Sequence, residues 1–384
     1  MTDPTRTAIG TWSGGRFMHF GQPLEDDRFE ALIAPDRAIP TVLTADVYGC
    51  GEADEHLGRA LGAATKGAGA LTREEVCVIG AVGHDFYMGE RDGSKGFPRF
   101  TSLRDSSQYA GYLRMATERS LERCGIESFD VLLLHNPDRI GYTSEAVWDG
   151  MAALRDAGLT RRIGVAPGPA NGFTLDLIDC FERFGTLMDW AMIILNPLEP
   201  WPGELCLDAA AASGIDVITR VVDYGGLFFD DLHPGTELGR QDHRSFRPAG
   251  WIDTGRRRLE NMRPIAQRAA LTMIQLACQW NLAHEAVKCV VPTLIQEAGP
   301  EARPVEDKRL ELALLPADQR LRPEEVAEIR ALGDNTGCMA LKGASPAHQG
   351  EEFPDRWGMD EHLSQVAGRW RIEPGRDLVQ AQTA

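Results

Sequence analysis

The 384-residue chain has no basic excess, no paired cysteines and no apolar run long enough to cross a bilayer. Its formal net charge is −17, with 57 acidic against 40 basic side chains. Nucleic acids and anionic membranes are held by clustered Lys and Arg, so neither is an expected partner. A small anionic substrate is not excluded, because one pocket can be basic within an acidic surface. The eight cysteines (Cys50, Cys77, Cys124, Cys180, Cys206, Cys278, Cys289 and Cys338) contain no CxxC pair. That scatter argues against a structural zinc and against a disulfide framework. Cys77, Cys278 and Cys289 sit in apolar runs and read as buried thiols. The opening MTDPTRTAIGTW lacks the basic stretch and apolar core of a secretory signal, so a cytoplasmic location is the expectation. No GxGxxG follows the first strand, and no repeat of fixed period is visible.

What is present is a recurrence of short apolar runs. They are PTVLTADVY (40–48), EVCVIGAVG (75–83), FDVLLLHNP (129–137), RRIGVAPG (161–168), DWAMIILNP (189–197), IDVITRVVD (215–223) and VKCVVPT (287–293). Each is near-continuous in Val, Ile and Leu, the pattern of parallel strands buried on both faces. An eighth, shorter run lies at AIGTWSGGR. Amphipathic stretches fill the gaps: HLGRALGAATKG, YAGYLRMATERSLERCG with a terminal Gly, TSEAVWDGMAALRDAG with a Ser/Thr start, TLDLIDCFERFG, and TMIQLACQWNLA. Eightfold strand–helix alternation at this length predicts an α/β fold, a (β/α)8 TIM barrel, over residues 1–299. A doubly wound open sheet is the alternative. Residues 300–384 turn charged and Pro-punctuated, with one helix at RPEEVAEIRALG. They read as a C-terminal extension packed on the barrel, either a solvated wrap or a partial cover for its mouth.

In such barrels, chemistry sits at the C-terminal ends of the strands. Those ends carry Asp46 and Tyr48, His84 and Asp85, His135, Asn136 and Asp138, Asn171, Asn196 with Glu199, Arg220 with Asp223 and Tyr224, and Thr293 with Gln296. Trp201, just beyond Glu199, joins the substrate-binding candidates. Singly, each has a bland reading. A strand-end Tyr is often a half-buried anchor, Asn196 before Pro197 can simply shape a turn, and Asp138–Arg139 can be a loop ion pair. Together, on separate strand ends, they describe a polar ring above an apolar barrel, as a site for a small polar substrate requires. Tyr48, His135, His84 and Arg220 are the catalytic candidates. Asp46, Asp85, Asn136, Asn196, Asp223, Tyr224 and Trp201 are the substrate-binding ones. A metal set of His84, His135, Glu199 and Asp223 has no ligand spacing behind it, so no metal is expected.

Three ordered blocks, TADVYGCGEADEHLGRAL, SLERCGIESFDVLLLHNPD and GMAALRDAGLTRRIGVA, resemble the aldo-keto reductase superfamily over residues 8–297, closest to its sugar- and aldose-oxidising branch. The resemblance implies a (β/α)8 barrel and hydride transfer between NADP or NAD and a carbonyl. It puts the proton-donating tyrosine on Tyr48 and the carbonyl-orienting histidine on His135. It puts the family's Asp on Leu43 and its Lys on Ala81, so both are replaced. The Ser and Asn that hold the nicotinamide amide become Ala166 and Pro167, and the Gln on the next strand becomes Met192. The phosphate loop after the last strand becomes VVPTLIQEAGPEARP, with Arg303 and Lys308 as the nearby cations. An unperturbed Tyr has a pKa near 10, and without the ammonium another cation must act on Tyr48. Candidates are His84, Arg220 and Lys342.

Three functions follow. The first is an NAD(P)-dependent oxidoreductase with a rewired proton relay, acting on a small polar carbonyl, alcohol or sugar-like compound. The second is a cofactor-independent lyase, isomerase or dehydratase using Tyr48, His84 and His135. The third is a binding protein without catalysis.

Overall fold

The computed structural model describes residues 3–66, 69–87, 106–137, 139–168, 174–239, 241–247, 249–333 and 359–378. Eight strands form one sheet: β1 (Ala8–Gly10), β2 (Thr41–Leu43), β3 (Cys77–Val82), β4 (Phe129–His135), β5 (Thr160–Ala166), β6 (Trp190–Ile194), β7 (Asp216–Arg220) and β8 (Val287–Val291). They pair in chain order, every neighbour parallel. A parallel bridge between Thr7 and Val290, with the Val290 amide donating to the Arg6 carbonyl at 2.9 Å, brings the last strand back to the first. The fold is a (β/α)8 barrel.

The strands are continuous apolar runs because both faces are buried, but the faces differ. Leu43, Ile79, Ala81, Val131, Leu133, Trp190, Met192, Ile218 and Val291 fill the barrel interior. Their alternates Val42, Val78, Leu132, Leu134, Ala191, Ile193, Val217 and Val290 meet the helices. This is the two-residue period of a strand buried on both sides. The outer ring includes α1 (Asp26–Ile33), α2 (Glu52–Ala64), α3 (Tyr109–Cys124), α4 (Glu145–Asp156), α5 (Thr174–Phe184), α6 (Leu207–Ala212), α7 (Trp251–Arg268) and α8 (Met273–Leu282). Gly125, at φ 64°, ends α3 as its sequence predicts. Ser144 stands at the N-cap of α4 in extended conformation, yet its side chain makes no capping bond. The 18-residue α7 was not legible as a helix, because its sequence WIDTGRRRLENMRPIAQR carries an internal Pro264.

Beyond the barrel, α9 (Val305–Ala313), α10 (Pro323–Gly333) and α11 (Glu361–Arg369) lie on its flank. The Arg309–Asp36, Arg330–Glu204 and Arg369–Glu182 ion pairs tie one to each of three barrel segments. Lys308 is fully buried and donates to Asp231 and to the Ile295 carbonyl, each at 2.6 Å. The segment that could cover the mouth, with Lys342, lies outside the described residues. No described helix is long and apolar enough to cross a membrane.

Candidate active site

The strand ends open into a cavity of about 710 Å³, lined by Trp12, Phe17, Met18, Phe20, Tyr48, His84, His135, Asn136, Met192, Glu199, Arg220, His243 and Arg247, among others. A cavity of this size suits one drug-sized molecule.

Tyr48 reaches it from an unexpected element. Its run was read as strand through residue 48, but β2 stops at Leu43. Thr44 and Asp46 still bond across to β3, through Thr44 N to Ile79 O at 2.9 Å and Asp46 N to Ala81 O at 3.1 Å. The chain then turns into a 3-10 segment, Tyr48–Gly51. Gly49 is at φ 61°, and a Cβ there would press on Phe17 at 2.7 Å. The turn is clamped from behind. Asp54 accepts from Thr44 Oγ1 at 2.8 Å, Ser120 Oγ at 2.7 Å and Arg123 Nη2 at 3.0 Å. Arg123 also donates to the Tyr87 hydroxyl at 3.0 Å, which donates in turn to Asp46 at 3.3 Å.

Three rings stack edge to face at the floor. Tyr48 and His135 have centroids 5.8 Å apart, and His84 and His135 5.2 Å. Trp12 stands 6.3 Å from Tyr48 and donates to the Thr293 hydroxyl at 3.3 Å. Beneath Tyr48 the interior is apolar: Leu43 and Ala81 are each 1% exposed. These are the positions that the resemblance gives to a carboxylate and an ammonium. Well-packed apolar residues in place of a buried ion pair are often neutral or stabilising by roughly 1–4 kcal/mol. What such a floor withholds is a charge close beneath Tyr48. Burial pushes its hydroxyl up to about 12, and the charge that opposes this is Arg220.

Arg220 closes β7. Its Nη2 donates to the carbonyls of Pro167 at 2.9 Å and Gly168 at 2.8 Å. Burial holds its pKa below the ordinary arginine value, against the fields of Tyr48 and Glu199. A guanidinium nevertheless stays protonated. Arg220, one of the cations considered from the sequence, thus stands on β7 with its charge opposing the effect of burial on Tyr48.

The other predicted residues divide. Asn136 lines the cavity at φ 45°, an unusual conformation at the end of β4. Asp223 is at its edge, but its two oxygens accept from the amides of Thr293 and Gly226, both at 2.7 Å, and build the turn after β7. Asp46, Asp85, Asn196, Tyr224 and Trp201 are not among the lining residues. Asp46 lies under Tyr87, and burial raises its pKa well above the usual carboxylate range. Asp85 accepts from the Tyr87 amide at 3.1 Å and shapes a turn. Asn196 bonds the Val221 carbonyl and the Leu198 amide, the turn-shaping role of its bland reading. Tyr224 is covered by Arg247, 4.0 Å above its ring. Trp201 donates to the Asp377 carbonyl and docks the extension. Asn171 and Asp138 lie outside the described residues. Among the described residues no three His, Cys, Asp or Glu side chains form a group able to hold a metal ion.

Strand-end reading missed Trp12, His243, Arg244 and Arg247. The last three lie on the connection between β7 and α7, some thirty residues along 221–250. Such length inside a compact domain was the available signal, because long connections there are usually functional. Arg244 is buried between Asp242 and Glu297, bonded to both carboxylates. Nearby, the Gly21 amide donates to Asp242 at 2.9 Å and the Gln22 amide to the Gln296 carbonyl at 2.8 Å. These bonds strap the loop after β1 to the loops after β7 and β8.

The model of the aldo/keto reductase family matches residues 8–299. The chain belongs to the aldo/keto reductase family. No curated protein matches it in sequence. Among solved structures it is similar to the glycerol dehydrogenase AKR11B4 from Gluconobacter oxydans, at 20% identity over 91% of this chain and 97% of that one, TM-score 0.65. It is similar also to the aldo-keto reductase AKR11C1 from Bacillus halodurans in its holo form, at 18% identity over 86% and 92%, TM-score 0.59. A third is an aldo/keto reductase from Klebsiella pneumoniae in complex with NADP and acetate, at 17% identity over 85% and 90%, TM-score 0.54. At these identities the likeness speaks for the fold. In this aldo/keto reductase the groups that the resemblance sets beside the dinucleotide are engaged within the protein. The carbonyls beside Ala166 are taken by Arg220. Lys308 is held by Asp231, and Arg303 by Glu311 and the Phe229 carbonyl. The described residues do not fit a nicotinamide dinucleotide held in the family's manner.

Proposed function

We propose that this member of an oxidoreductase family acts on the oxygen of a small polar carbonyl or hydroxy compound in the strand-end cavity. The retained Tyr48–His135 pair, 5.8 Å between ring centroids, carries this reading. An oxygen seated between them accepts a hydrogen bond from the Tyr48 hydroxyl, while His135 fixes its direction. Tyr48 can give a proton to a carbonyl oxygen and take one from a hydroxyl; conversion of one into the other also needs a hydride donor or acceptor. Positioned proton transfer of this kind is worth roughly 10²–10⁴ in rate. Arg220 supplies the positive charge that favours the tyrosinate, the part the resemblance gives to a lysine. Trp12, Phe17 and Phe20 exclude water from one side.

In the family the hydride is carried by NAD or NADP. Since the described contacts do not fit that group in the family's manner, no step here is drawn through it. The same Arg220 contacts favour a second reading: proton transfer alone, as a lyase, isomerase or dehydratase, with Tyr48, His84 and His135 moving protons.

Titration of the full chain with NADPH, NADH, NADP and NAD, followed by nicotinamide fluorescence or heat, separates the two. Micromolar saturation by one of them supports oxidoreduction and shows that other contacts hold the nucleotide. Absence of binding at millimolar concentration sinks it, and leaves cofactor-free turnover of hydroxy and oxo compounds as the activity to measure.

A further inference from the structure

Four arginines line the cavity: Arg16, Arg220, Arg244 and Arg247. Three face carboxylates. Arg16 meets Asp26 at 2.6 Å, Arg244 meets Asp242 at 2.8 Å and Glu297 at 2.5 Å, and Arg247 stands 3.7 Å from Glu199. Arg220 differs, for no carboxylate of the described residues lies within 4.0 Å of it. Its Nη2 is committed to two carbonyls, and its Nε is buried without a partner. Nη1 donates to no described group. In a chain of net charge −17, a cation kept in a pocket with no protein carboxylate in contact, and only the more distant field of Glu199 on it, is an expensive arrangement. Desolvating one ion costs several kcal/mol unless an opposite charge meets it.

We propose that Arg220 holds a carboxylate of the substrate, which makes the ligand a small oxo- or hydroxy-carboxylate whose oxygen faces Tyr48 and His135. This rests on the reading that those two residues handle that oxygen. Arg220, Tyr48 and His135 line one cavity, so one small molecule can meet the guanidinium and the Tyr48–His135 pair together. One uncommitted guanidinium matches a single negative charge. A phosphate dianion would draw on a second cation, and the other three lining arginines already face protein carboxylates. The two carbonyl bonds fix the guanidinium plane, so its remaining donors are aimed before the ligand arrives, which lowers the ordering cost of binding.

The test is calorimetric titration of the full chain with oxamate, an oxo-carboxylate, and with oxamide, its neutral counterpart. Saturable oxamate binding that weakens at least tenfold in Arg220→Gln, and less in Arg220→Lys, supports the proposal. Oxamide should bind weakly and equally to all three proteins. Melting curves show which variants are folded, and Arg220→Lys keeps the charge should Arg220→Gln not fold. The proposal is overturned by no saturable oxamate binding at millimolar concentration, by oxamide binding as tightly as oxamate, or by an oxamate affinity indifferent to residue 220. Inorganic phosphate displacing oxamate in an Arg220-dependent way at lower concentration also overturns it, in favour of a phosphorylated ligand. Tyr48→Phe separates the two readings. Loss of Arg220-dependent binding, with Tyr48-dependent turnover intact, removes the carboxylate subsite and leaves the acid–base site standing.

Discussion

The two halves of the barrel mouth are built in different ways. On the β2–β4 side, Tyr48 and His135 face each other above an apolar floor that includes Leu43 and Ala81. On the β5–β8 side the mouth carries charge. An arginine spans the Pro167 and Gly168 carbonyls, and a buried Arg244–Asp242–Glu297 cluster stands by the loop after β8. The difference teaches that a tyrosine set on an apolar floor can meet an opposing charge from across the mouth rather than from beneath.

The largest effect expected from breaking this contrast is in Tyr48→Phe. Turnover should fall about 10²–10⁴-fold with the melting temperature little changed. Unchanged kcat on any substrate the wild type turns over would take Tyr48 out of the chemistry.

On the other side, Lys308→Met should cost roughly 3–5 kcal/mol of stability, because it strands Asp231 as a buried unpaired charge. Denaturant unfolding reads this out. A variant of wild-type stability that has lost nucleotide affinity would instead return Lys308 to phosphate binding.

A smaller effect ties the halves together. In Arg220→Met the charge that lowers the Tyr48 pKa is gone. The wild-type hydroxyl stays protonated through neutral pH, being held near 12. A step using Tyr48 as base therefore gains rate as pH rises, and the variant should need still higher pH, with about tenfold lower kcat at a given alkaline pH. A pH–rate profile identical to the wild type would separate the two halves.

The smallest is Asp46→Asn. Asp46 is fully buried beside Asp54 and its pKa is raised. The wild type therefore loses stability as pH rises through that raised pKa, and Asn does not. The variant should be more stable by about 1–2 kcal/mol at pH 8. The advantage should shrink towards zero as the pH is lowered and Asp46 takes up its proton. Equal melting temperatures across the range would show that Arg123 and Tyr87 already compensate the charge.

The barrel was legible because parallel strands covered on both faces must be continuous apolar runs, and seven of the eight are. Only β1, three residues long, left a faint trace. The site was legible in part. Reading strand ends picked out Tyr48, His84, His135, Asn136 and Arg220, which line the cavity, since each ends its strand or follows it within a few residues. It also gathered Asn196, Asp85 and Asp223, because a residue that shapes a turn and one that meets a ligand look alike in sequence when both are polar. Arg247 and His243 escaped because a long connection folds them back over the mouth, a matter of three-dimensional return that periodicity does not record.

The bridge between Thr7 and Val290 has a consequence in time. The two residues are separated by nearly the whole barrel sequence, and the strap from Gln22 to Gln296 spans the same distance. A chain emerging from the ribosome can pair β2 with β3 and β3 with β4 early. It cannot shut the ring, or set Trp12 against Thr293, until β8 is out. The pocket is thus the last part of the barrel to exist. Until then its first strand is an open parallel edge, the kind of exposed template on which nascent chains aggregate.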